Sequence, residues 1–407
     1  MQKRFAPDAG GVFPEWEEVT LGDIAEFSRG KGLTKKDVSE KGERKCLLYG
    51  QLQVRYGTII KNVTGMTDVE LKNPVLSKSG DVLISGTISA GLAKASCIKE
   101  DGVIIGGDIN ILRPKEGIDG EFLARAINAN TKKFKRFLEG SVILHLKNEN
   151  IKEVSIRIPK SIEEQRKIAA AFAAYDEMIA VKTAKLETWQ ECKKRMVKEI
   201  FGRTKRFKDD DGREFPEWEE KTLGEITEYI RNGYSYKPDG VRTHKYKVTR
   251  IETISTGKIN PEKLGSCEEC DEKYLLKPGD ILYSNINSLS YLGNTAIYKN
   301  SPEKIYHGMN LLCIRPKGDD IDADYLFAFL NSEAAKKFVK YNAQRAVNQC
   351  SIKVSDVRNM RIPLPCMEEQ QKIGSFLAEI DKEIQIQKEF IKTYAEGKKR
   401  MMRELIR

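Results

Sequence analysis

The sequence predicts an α/β (α+β) protein: two similar mixed α/β segments, each followed by a long helix, with the two helices forming an antiparallel coiled coil. Two observations carry this prediction. The letters FPEWEE occur at 13–18 and again at 215–220, and a heptad pattern of apolar residues follows each copy of IP…EEQ. An internal repeat means that one structural unit occurs twice, so we predict a pseudo-twofold tandem repeat.

Other landmarks recur in the same order and divide the chain. KSGDVLIS at 78–85 matches KPGDILYS at 277–284, and KKRMVKEI at 193–200 matches KKRMMREL at 398–405. A chain of 407 residues also exceeds what one hydrophobic core usually supports. The predicted divisions are a first globular domain at 1–160, a long helix at 161–201, a linker at 202–214, a second globular domain at 215–363 and a second long helix at 364–407.

Each globular segment mixes strands with helices. DVLIS, NILRP, DILYS and LLCIRP are short apolar runs that end at Gly, Ser or Pro, as strands do. DGEFLARAINANTKKFKRFLEG and DADYLFAFLNSEAAKKFVKYN have the apolar spacing of helices. The recurring Gly-Asp before DVLIS and DILYS is predicted to close a turn and not to take part in catalysis.

The long helices are predicted from apolar residues that alternate at spacings of four and three. The series runs through Ile168, Phe172, Tyr175, Ile179, Lys182, Leu186, Trp189, Lys193, Met196 and Ile200, and through Ile373, Leu377, Ile380, Ile384, Gln387, Ile391, Tyr394, Lys398, Met401 and Leu405. This pattern is typical of a coiled-coil seam with matched polar interruptions. The alternative is a long helix that lies on its own domain. In an antiparallel pair, Lys182 is predicted nearer the level of Lys398 than that of Gln387.

Charge indicates where a partner would bind. The chain has 70 Lys and Arg against 60 Asp and Glu, a net charge of +10. Residues 162–201 contain eight basic and seven acidic side chains, and 366–407 contain nine and eight. Each helix is therefore +1, which leaves +8 on the globular parts and permits nucleic-acid binding there. With no long apolar run and no signal-peptide core at the N-terminus, the chain is predicted to be cytoplasmic.

No pattern in the sequence indicates catalysis. There is no GxxxxGK[ST] phosphate loop, no GxGxxG after a strand and no motif for S-adenosylmethionine or amino-methylation. The three histidines, His145, His244 and His307, have no ligand or nucleophile–base spacing. Of eight cysteines, only Cys267 and Cys270 form a CxxC, which is predicted to be an ordinary loop and not a zinc site. We therefore predict no catalytic residue, no metal and no cofactor in this chain.

The stretches in which the two halves differ are the candidate recognition surfaces. Residues 30–75 and 232–272 cannot be matched letter for letter, although the ends of both halves can. They contain basic residues mixed with aromatic and amide residues, as in SRGKGLTKKD and RTHKYKVTR. Such mixtures suit DNA, where Arg and Lys contact phosphates or guanine and Asn and Gln contact adenine. The alternative is solvated loops with tyrosines packed beneath them.

Taken together, the tandem order resembles one known family over essentially all 407 residues. Two copies of FPEWEE, a GDIL-type strand, IP…EEQ and a heptad helix are similar to the specificity (S) subunits of type I restriction–modification systems, the HsdS family. The resemblance implies two target recognition domains that each read one half of a bipartite, asymmetric DNA target. It also implies that the helices form a spacer and dock methyltransferase (M) subunits, two in number, and that restriction (R) subunits join. S-adenosylmethionine, ATP and Mg²⁺ are then expected in the partner subunits.

The residues predicted to contact double-stranded DNA are basic, amide, hydroxyl or tyrosine side chains near the recurring strands. In the first domain they are Arg29, Lys31, Lys35, Gln51, Arg55, Tyr56 and Thr87, and in the second Arg231, Tyr234, Tyr236, Lys245, Arg250, Asn285 and Asn287. Two alternative functions make different predictions. A DNA methyltransferase or nuclease would bind S-adenosylmethionine or cleave DNA alone, and a coiled-coil scaffold without a nucleic-acid role would show no salt-sensitive affinity for DNA.

Overall fold

The computed structural model describes residues 4–88, 94–138, 144–235, 245–255, 257–345 and 349–406. The chain divides into a first unit, Met1–Lys182 with Phe390–Arg407, and a second unit, Thr183–Glu389. Each long helix therefore contributes to both units. The predicted boundaries between recognition domains, helices and linker stay a prediction.

The first unit alternates short strands with short helices before the first long helix. Its strands are β1 (Glu17–Thr20), β2 (Ala25–Arg29), β3 (Arg44–Leu47), β4 (Ile59–Ile60), β5 (Met66–Thr67), β6 (Val82–Ser85), β7 (Thr87–Ile88), β8 (Ala95–Ile98), β9 (Ile104–Ile105), β10 (Ile109–Pro114), β11 (Leu144–His145) and β12 (Ser155–Ile158). Its helices are α1 (Leu21–Ile24), α2 (Tyr49–Val54), α3 (Gly120–Ala129), α4 (Thr131–Phe134), α5 (Asn148–Lys152) and the first part of α6 (Ile162–Phe201).

One sheet organises the first unit. Its described strands lie in the order β2-β10-β6-β8-β4, with β10 antiparallel to both β2 and β6. Alternate side chains face opposite sides of a strand, so Val82 and Ile84 join a core with Phe122 of α3 and Phe172 of α6. Leu83 packs on the other side, beneath the small sheet β5-β3-β9 and α2. Both faces of the sheet are thus covered.

The second unit repeats this order of elements. Its strands are β13 (Glu219–Thr222), β14 (Thr227–Asn232), β15 (Tyr246–Val248), β16 (Gly265–Cys267), β17 (Ile281–Tyr283), β18 (Ile286–Asn287), β19 (Thr295–Ile297), β20 (Ile305–Tyr306), β21 (Leu312–Pro316), β22 (Gln344–Arg345), β23 (Cys350–Ser351) and β24 (Arg361–Leu364). Its helices are the end of α6, α7 (Ala323–Leu330), α8 (Glu333–Asn342), α9 (Val354–Arg358) and α10 (Met367–Leu405), whose last turns belong to the first unit.

The sheet of the second unit matches the first four strands of the sheet in the first unit. The described strands lie in the order β14-β21-β17-β19, and β15 lies between β16 and β20 in a second small sheet. Ile281 and Ile314 face α7 and α10, while Leu282 and Cys313 pack on the other side. The predicted fold class, two similar mixed α/β units with long helices, is confirmed.

Within each unit, the two long helices pair antiparallel along the predicted seam. In the first unit the Tyr175 ring meets Tyr394 edge to face at 6.3 Å, and the ammonium of Lys182 lies 4.5 Å from the centre of the Phe390 ring. In the second, Met196 and Ile200 share a core with Ile373 and Leu377. All twenty seam positions are buried or half-buried, because the spacing of four and three keeps one stripe facing the partner helix.

The polar seam residues pair differently from the prediction. Lys398 binds Asp176, and Lys193 donates to both carboxylate oxygens of Asp381 at 2.7 Å. Lys182 instead lies over Phe390, which is closer in sequence to Gln387 than to Lys398. The expectation that Lys182 lies nearer the level of Lys398 was therefore wrong. Each of these seam lysines contacts the carboxylate or aromatic ring that faces it on the other helix.

The repeated letters PEWEE and EEQ are explained by one buried anchor in each unit. Glu164 is fully buried; it accepts hydrogen bonds from Arg4 Nη2 at 2.8 Å and Trp16 Nε1 at 3.3 Å. Glu369 is equally buried and accepts from Arg206 Nη2 at 2.8 Å and Trp218 Nε1 at 2.9 Å. A carboxylate without water needs such partners. The anchor ties each long helix to the start of its globular segment.

The following glutamine completes this anchor. Gln165 accepts from the backbone N–H of Asp119 at 2.8 Å and donates to the carbonyl of Pro159 at 2.9 Å. Gln370 makes the same two bonds to Asp322 and Pro365. The segment predicted as a linker also takes part, because Arg206 lies within it. It is therefore part of the anchor as well as a connection.

Candidate nucleic-acid interface

The ends of β2, β7 and β10 bring two of the predicted DNA-binding residues together in the first unit. Arg29 closes β2, and its Nη2 donates to Asp108 Oδ1 at 2.6 Å. The hydroxyl of Thr87 donates to the other oxygen of Asp108. Asp108 has φ +65°, an unusual value for a residue other than glycine. The result is a partly exposed cluster of a cation, a carboxylate and a hydroxyl, which we call the strand-end site.

The other predicted residues of the first unit divide into exposed cations and side chains that support local structure. Lys31, Lys35 and Arg55 are exposed, and Arg55 caps the C-terminus of α2. Gln51 accepts from the N–H of Leu48 at 3.0 Å, which caps the start of α2. The hydroxyl of Tyr56 accepts from the N–H of Thr64 at 3.0 Å. Gln51 and Tyr56 thus have structural partners within the unit, whereas the three cations point to solvent.

In the second unit, Arg231 lies among aromatic rings. Its guanidinium carbon is 4.1 Å from the centre of the Tyr229 ring and 5.4 Å from that of Tyr274. It also donates to the carbonyl of Lys273. Tyr234 packs against Tyr274 with ring centres 5.6 Å apart, so Arg231 and Tyr234 share one aromatic cluster. Stacking of this kind fixes the plane of a guanidinium.

The remaining predicted residues of the second unit are scattered. Lys245 is exposed beside the Tyr246 ring, and Arg250 pairs with Glu252 at 2.9 Å. Asn285 is 5% exposed, too buried to reach DNA without rearrangement. Asn287 is half-buried, donates to Ser284 Oγ at 3.2 Å and accepts from the N–H of Ser288 at 2.8 Å. Tyr236 lies outside the described residues.

A β-bulge separates two arginines that the sequence aligns. The chain offset of 202 matches Arg29 with Arg231. In the sheets, however, Arg29 pairs with Asn110 of β10, three residues before Arg113, whereas Arg231 pairs with Cys313, two residues before Arg315. The register of β14 shifts between Thr227 and Tyr229. Because a shift of one residue reverses the side chains, Arg231 faces the opposite side of its sheet from Arg29.

The recurring Gly-Asp turns are structural in both units, as predicted. Asp81 accepts from the N–H of Lys78 at 2.8 Å and binds Arg113 through both oxygens at 2.8 and 2.7 Å. Asp280 makes the equivalent bonds to Lys277 and Arg315 at 2.6–2.7 Å. Two-point pairs of this kind hold a guanidinium in one orientation. They fix the turn against the strand whose other end carries Asp108 in the first unit.

Burial disfavours the charged forms of the titratable groups near the aromatic cluster of the second unit. His307 is 1% exposed, and loss of hydration lowers the pKa of its imidazole. Burial raises the pKa of Cys267, and it raises that of Cys270 to about 12. These thiols therefore stay protonated at neutral pH and lack the reactivity of thiolates. Among the described residues, no group of three or more His, Cys, Asp or Glu side chains is arranged to hold a metal ion.

Sequence reasoning missed Asp108, Asn232 and Asn310. Asp108 lies in GGDIN, outside the stretches 30–75 and 232–272 in which the two halves differ, and Asn232 is the neighbour of the predicted Arg231. The signal in the sequence that could have identified these residues is a nearby glycine at which two backbone segments approach closely. A Cβ on Gly30 would lie 2.0 Å from the carbonyl oxygen of Gly106 and 2.7 Å from that of Ile105, and one on Gly233 would lie 2.5 Å from that of Gly308 and 2.2 Å from that of His307. The next residues fix the match, because the backbone N–H of Lys31 donates to Ile105 and that of Tyr234 donates to His307. Matching these close approaches aligns Arg29 with Asn232 and Asp108 with Asn310.

Comparison with known proteins supports the division of the chain into two repeats. The family model described as the type I restriction modification DNA specificity domain matches residues 14–188 and again 216–393. The chain belongs to this family. It therefore contains two copies of the family's domain, and the two matches follow the tandem repeat.

Named members of the family align with part or nearly all of the chain. The specificity subunit of the type I restriction enzyme MjaX from Methanocaldococcus jannaschii is 41% identical over 210 residues, which is 50% of this chain but only 49% of that relative. The MjaVIII specificity subunit from the same organism is 25% identical over 411 residues, covering 96% of this chain and 92% of the relative. The comparisons give no support to a scaffold without a nucleic-acid role.

Solved structures share the fold across the whole chain. The S subunit of a type I restriction-modification system from M. genitalium has a TM-score of 0.69 at 15% identity and covers 97% of this chain and 96% of its own. A chain from a study of complex assembly and conformational transition of the type I R-M system has a TM-score of 0.50 at 18% identity. Among the described residues, no helix combines the length and apolar character needed to cross a membrane.

Proposed function

We propose that this chain is the DNA sequence-specificity subunit of a type I restriction–modification complex, and that each recognition domain reads one half of a bipartite, asymmetric target. The observation that carries the proposal is that the specificity-domain family matches both repeats, while equivalent strand ends in the two repeats carry different side chains. A shared frame with different reading residues suits two unlike half-sites.

The long helices supply the spacing and the partner contacts in this proposal. Their antiparallel pairing within each unit rests on buried apolar residues and on ion pairs such as Lys193–Asp381. The first unit also leaves apolar side chains exposed on these helices: Met178 is 38%, Val181 55% and Phe390 41% exposed. Exposed apolar residues on a helix pair suit a protein partner. We assign this role to methyltransferase subunits, two in the assembly, with restriction subunits joining the complex.

The chain itself is proposed to be non-catalytic. Methyl transfer, ATP-driven movement and cleavage would take place in the partner subunits, which would hold S-adenosylmethionine, ATP and Mg²⁺. The buried state of His307 and the protonated Cys267–Cys270 pair support this division, because neither offers a group suited to proton transfer or nucleophilic attack at neutral pH. The chain would act in the cytoplasm, where its DNA substrate is found.

A domain exchange tests the proposal. The full chain is expressed with the methyltransferase subunits of its own system in a host without DNA methylation, and methylated sites are sequenced. Replacing residues 216–362 with the same domain of a relative should change one half of the target and leave the other half unchanged. If the exchange alters both halves together, independent reading is refuted. Methylation by the purified chain without partners would refute its non-catalytic role.

A further inference from the structure

The strand-end site occupies the same position of the frame in both units but carries different chemistry. In the first unit it holds Arg29, Thr87 and Asp108. Arg29 directly precedes Gly30, which lies against the carbonyls of Ile105 and Gly106, and Asn232 directly precedes Gly233, which lies against those of His307 and Gly308. Counting on from those carbonyls aligns Asp108 with Asn310.

The third position follows from the next strand. Ser85 is the last residue of β6 and Ser284 directly follows β17, and both end the repeated GD…S sequence, so Thr87 corresponds to Ile286. Backbone bonds confirm this alignment, because Leu146 donates to Gly86 and Ile352 donates to Asn285, each one residue before the pair. A cation, a carboxylate and a hydroxyl in the first unit are thus replaced by two amides and an apolar side chain in the second.

Exposure leaves this position accessible in both units. The side chain of Arg29 is 50% exposed even though it is bound to Asp108. Asn232, the last residue of β14, is exposed, and so is Asn310, which lies just before β21. In each unit the position lies at the end of the central sheet where β2 or β14 ends and β10 or β21 begins, and in the first unit side chains from separate strands meet there. A DNA groove can therefore be reached by one side chain that is held by a rigid sheet.

The chemistry of these side chains distinguishes bases. Arginine pairs in a bidentate manner with O6 and N7 of guanine, and asparagine with N6 and N7 of adenine. A guanidinium has five N–H donors, so the bond from Nη2 to Asp108 is compatible with such a pair. That bond also restrains Arg29 and offsets its charge, which favours reading a base over contacting phosphate.

We propose that Arg29 reads a guanine in one half-site, that Asn232 reads an adenine at the corresponding place in the other, and that Asp108 is the positioning residue for Arg29. This inference rests on the proposed function and specifies which residue in each domain selects a base. Arg231, which the sequence aligns with Arg29, does not take this role because the bulge in β14 turns it to the other face of the sheet.

The test uses the full chain with its methyltransferase subunits and sequences the methylated sites. Wild-type protein first defines the bipartite target, which must contain a G·C pair in one half and an A·T pair in the other. A wild-type complex that methylates no bipartite target would refute the proposed function itself. A bipartite target that lacks either base pair would refute only the present inference.

Two paired exchanges then reverse the chemistry. Arg29→Asn with Asp108→Asn should change one G·C pair to A·T in a single half-site, lowering binding of the original site about 5- to 150-fold in competition. Asn232→Arg with Asn310→Asp should make the reverse change in the other half. An unchanged target in an intact complex, or equal loss for all sequences, would overturn the inference.

Single substitutions provide the controls and remain informative if an exchange fails to fold. Arg231→Asn, the change at the sequence-aligned position, should leave the preference at the base pair assigned to Asn232 unchanged, and a change of preference at that base pair would contradict the assignment. Arg29→Lys keeps the charge but lacks the fork, so it should lose base preference and keep the salt dependence of binding. Asp108→Asn should relax preference at the same base pair only. A uniform loss of affinity in Asp108→Asn would assign Asp108 a structural role instead.

Discussion

In both units a tryptophan and an arginine share one buried glutamate, Trp16 and Arg4 at Glu164 and Trp218 and Arg206 at Glu369. At the strand ends that carry Arg29 and Asn232, the two units instead differ. Arg29 bound to Asp108 in the first unit corresponds to Asn232 in the second. Buried partners cannot change one at a time, because each leaves the other unsatisfied. Exposed residues at strand ends can be substituted one at a time without loss of the fold that the two units share.

The largest effect is expected at the anchors. Glu164→Ala and Glu369→Ala each remove a buried carboxylate and leave an arginine and an indole N–H without their partner. Each should lower the free energy of unfolding of its unit by about 3–5 kcal/mol, as measured by denaturant titration. The exposed neighbours provide controls, since Glu163→Ala and Glu368→Ala should change it by about 0.5 kcal/mol or less. Clearly unequal losses at Glu164 and Glu369 would contradict equivalence of the anchors.

A pH difference between the units is expected from His307, whose place in the first unit is taken by Ile105. Burial lowers the pKa of His307 in the folded state, so below about pH 6.5 the unfolded chain binds a proton that the folded unit does not. Stability of the second unit is therefore retained above that pH and lost as the pH falls. The slope reaches at most about 1.4 kcal/mol per pH unit.

This slope can be measured by calorimetry between neutral and mildly acidic pH. His307→Ile introduces the residue of the first unit and should remove the contribution. If the second unit of this variant loses as much stability on acidification as wild type, the histidine is not its source.

Substitutions of Arg55 and Arg250 are expected to have smaller effects, and these should differ in how DNA binding depends on salt. Arg55 is exposed at the end of α2, whereas Arg250 is paired with Glu252 at 2.9 Å. Arg55→Ala should weaken binding of all sequences alike and reduce the slope of log affinity against log salt by about 1. Arg250→Ala should change that slope less, because Glu252 already offsets its charge. Loss confined to one base pair in Arg55→Ala would instead indicate base reading.

The smallest effect is expected at the CxxC. Cys267→Ser with Cys270→Ser should alter the free energy of unfolding of the second unit by about 1 kcal/mol or less and release no zinc, as measured by thermal unfolding and metal analysis. Cys313→Ser is the matched control. Cys313 is fully buried in the sheet, so a hydroxyl there should cost about 1–3 kcal/mol. Stoichiometric zinc lost only in the double variant would show a metal site.

Some features were predictable because they repeat along the chain. The seam from Ile168 to Ile200 follows from the spacing of four and three, which places one stripe of any helix against a partner. The duplication follows from FPEWEE, and the structural role of Asp81 from its position before an apolar strand. Each of these is a short local pattern or the recurrence of one, which a sequence displays directly.

The tertiary structure alone determined which residues meet across the chain. Glu164 is placed in the first turn of a helix by sequence, but its partners Arg4 and Trp16 lie about 150 residues away. The match of Arg29 with Asn232, and not with Arg231, depends on one extra residue in β14. Side chains alternate between the two faces of a strand with a period of two. The extra residue therefore turns Arg231 to the opposite face of the sheet, although the apolar pattern still identifies the strand. Periodicity thus identifies the strand, but only pairing with β21 shows which of its side chains lies at the open end.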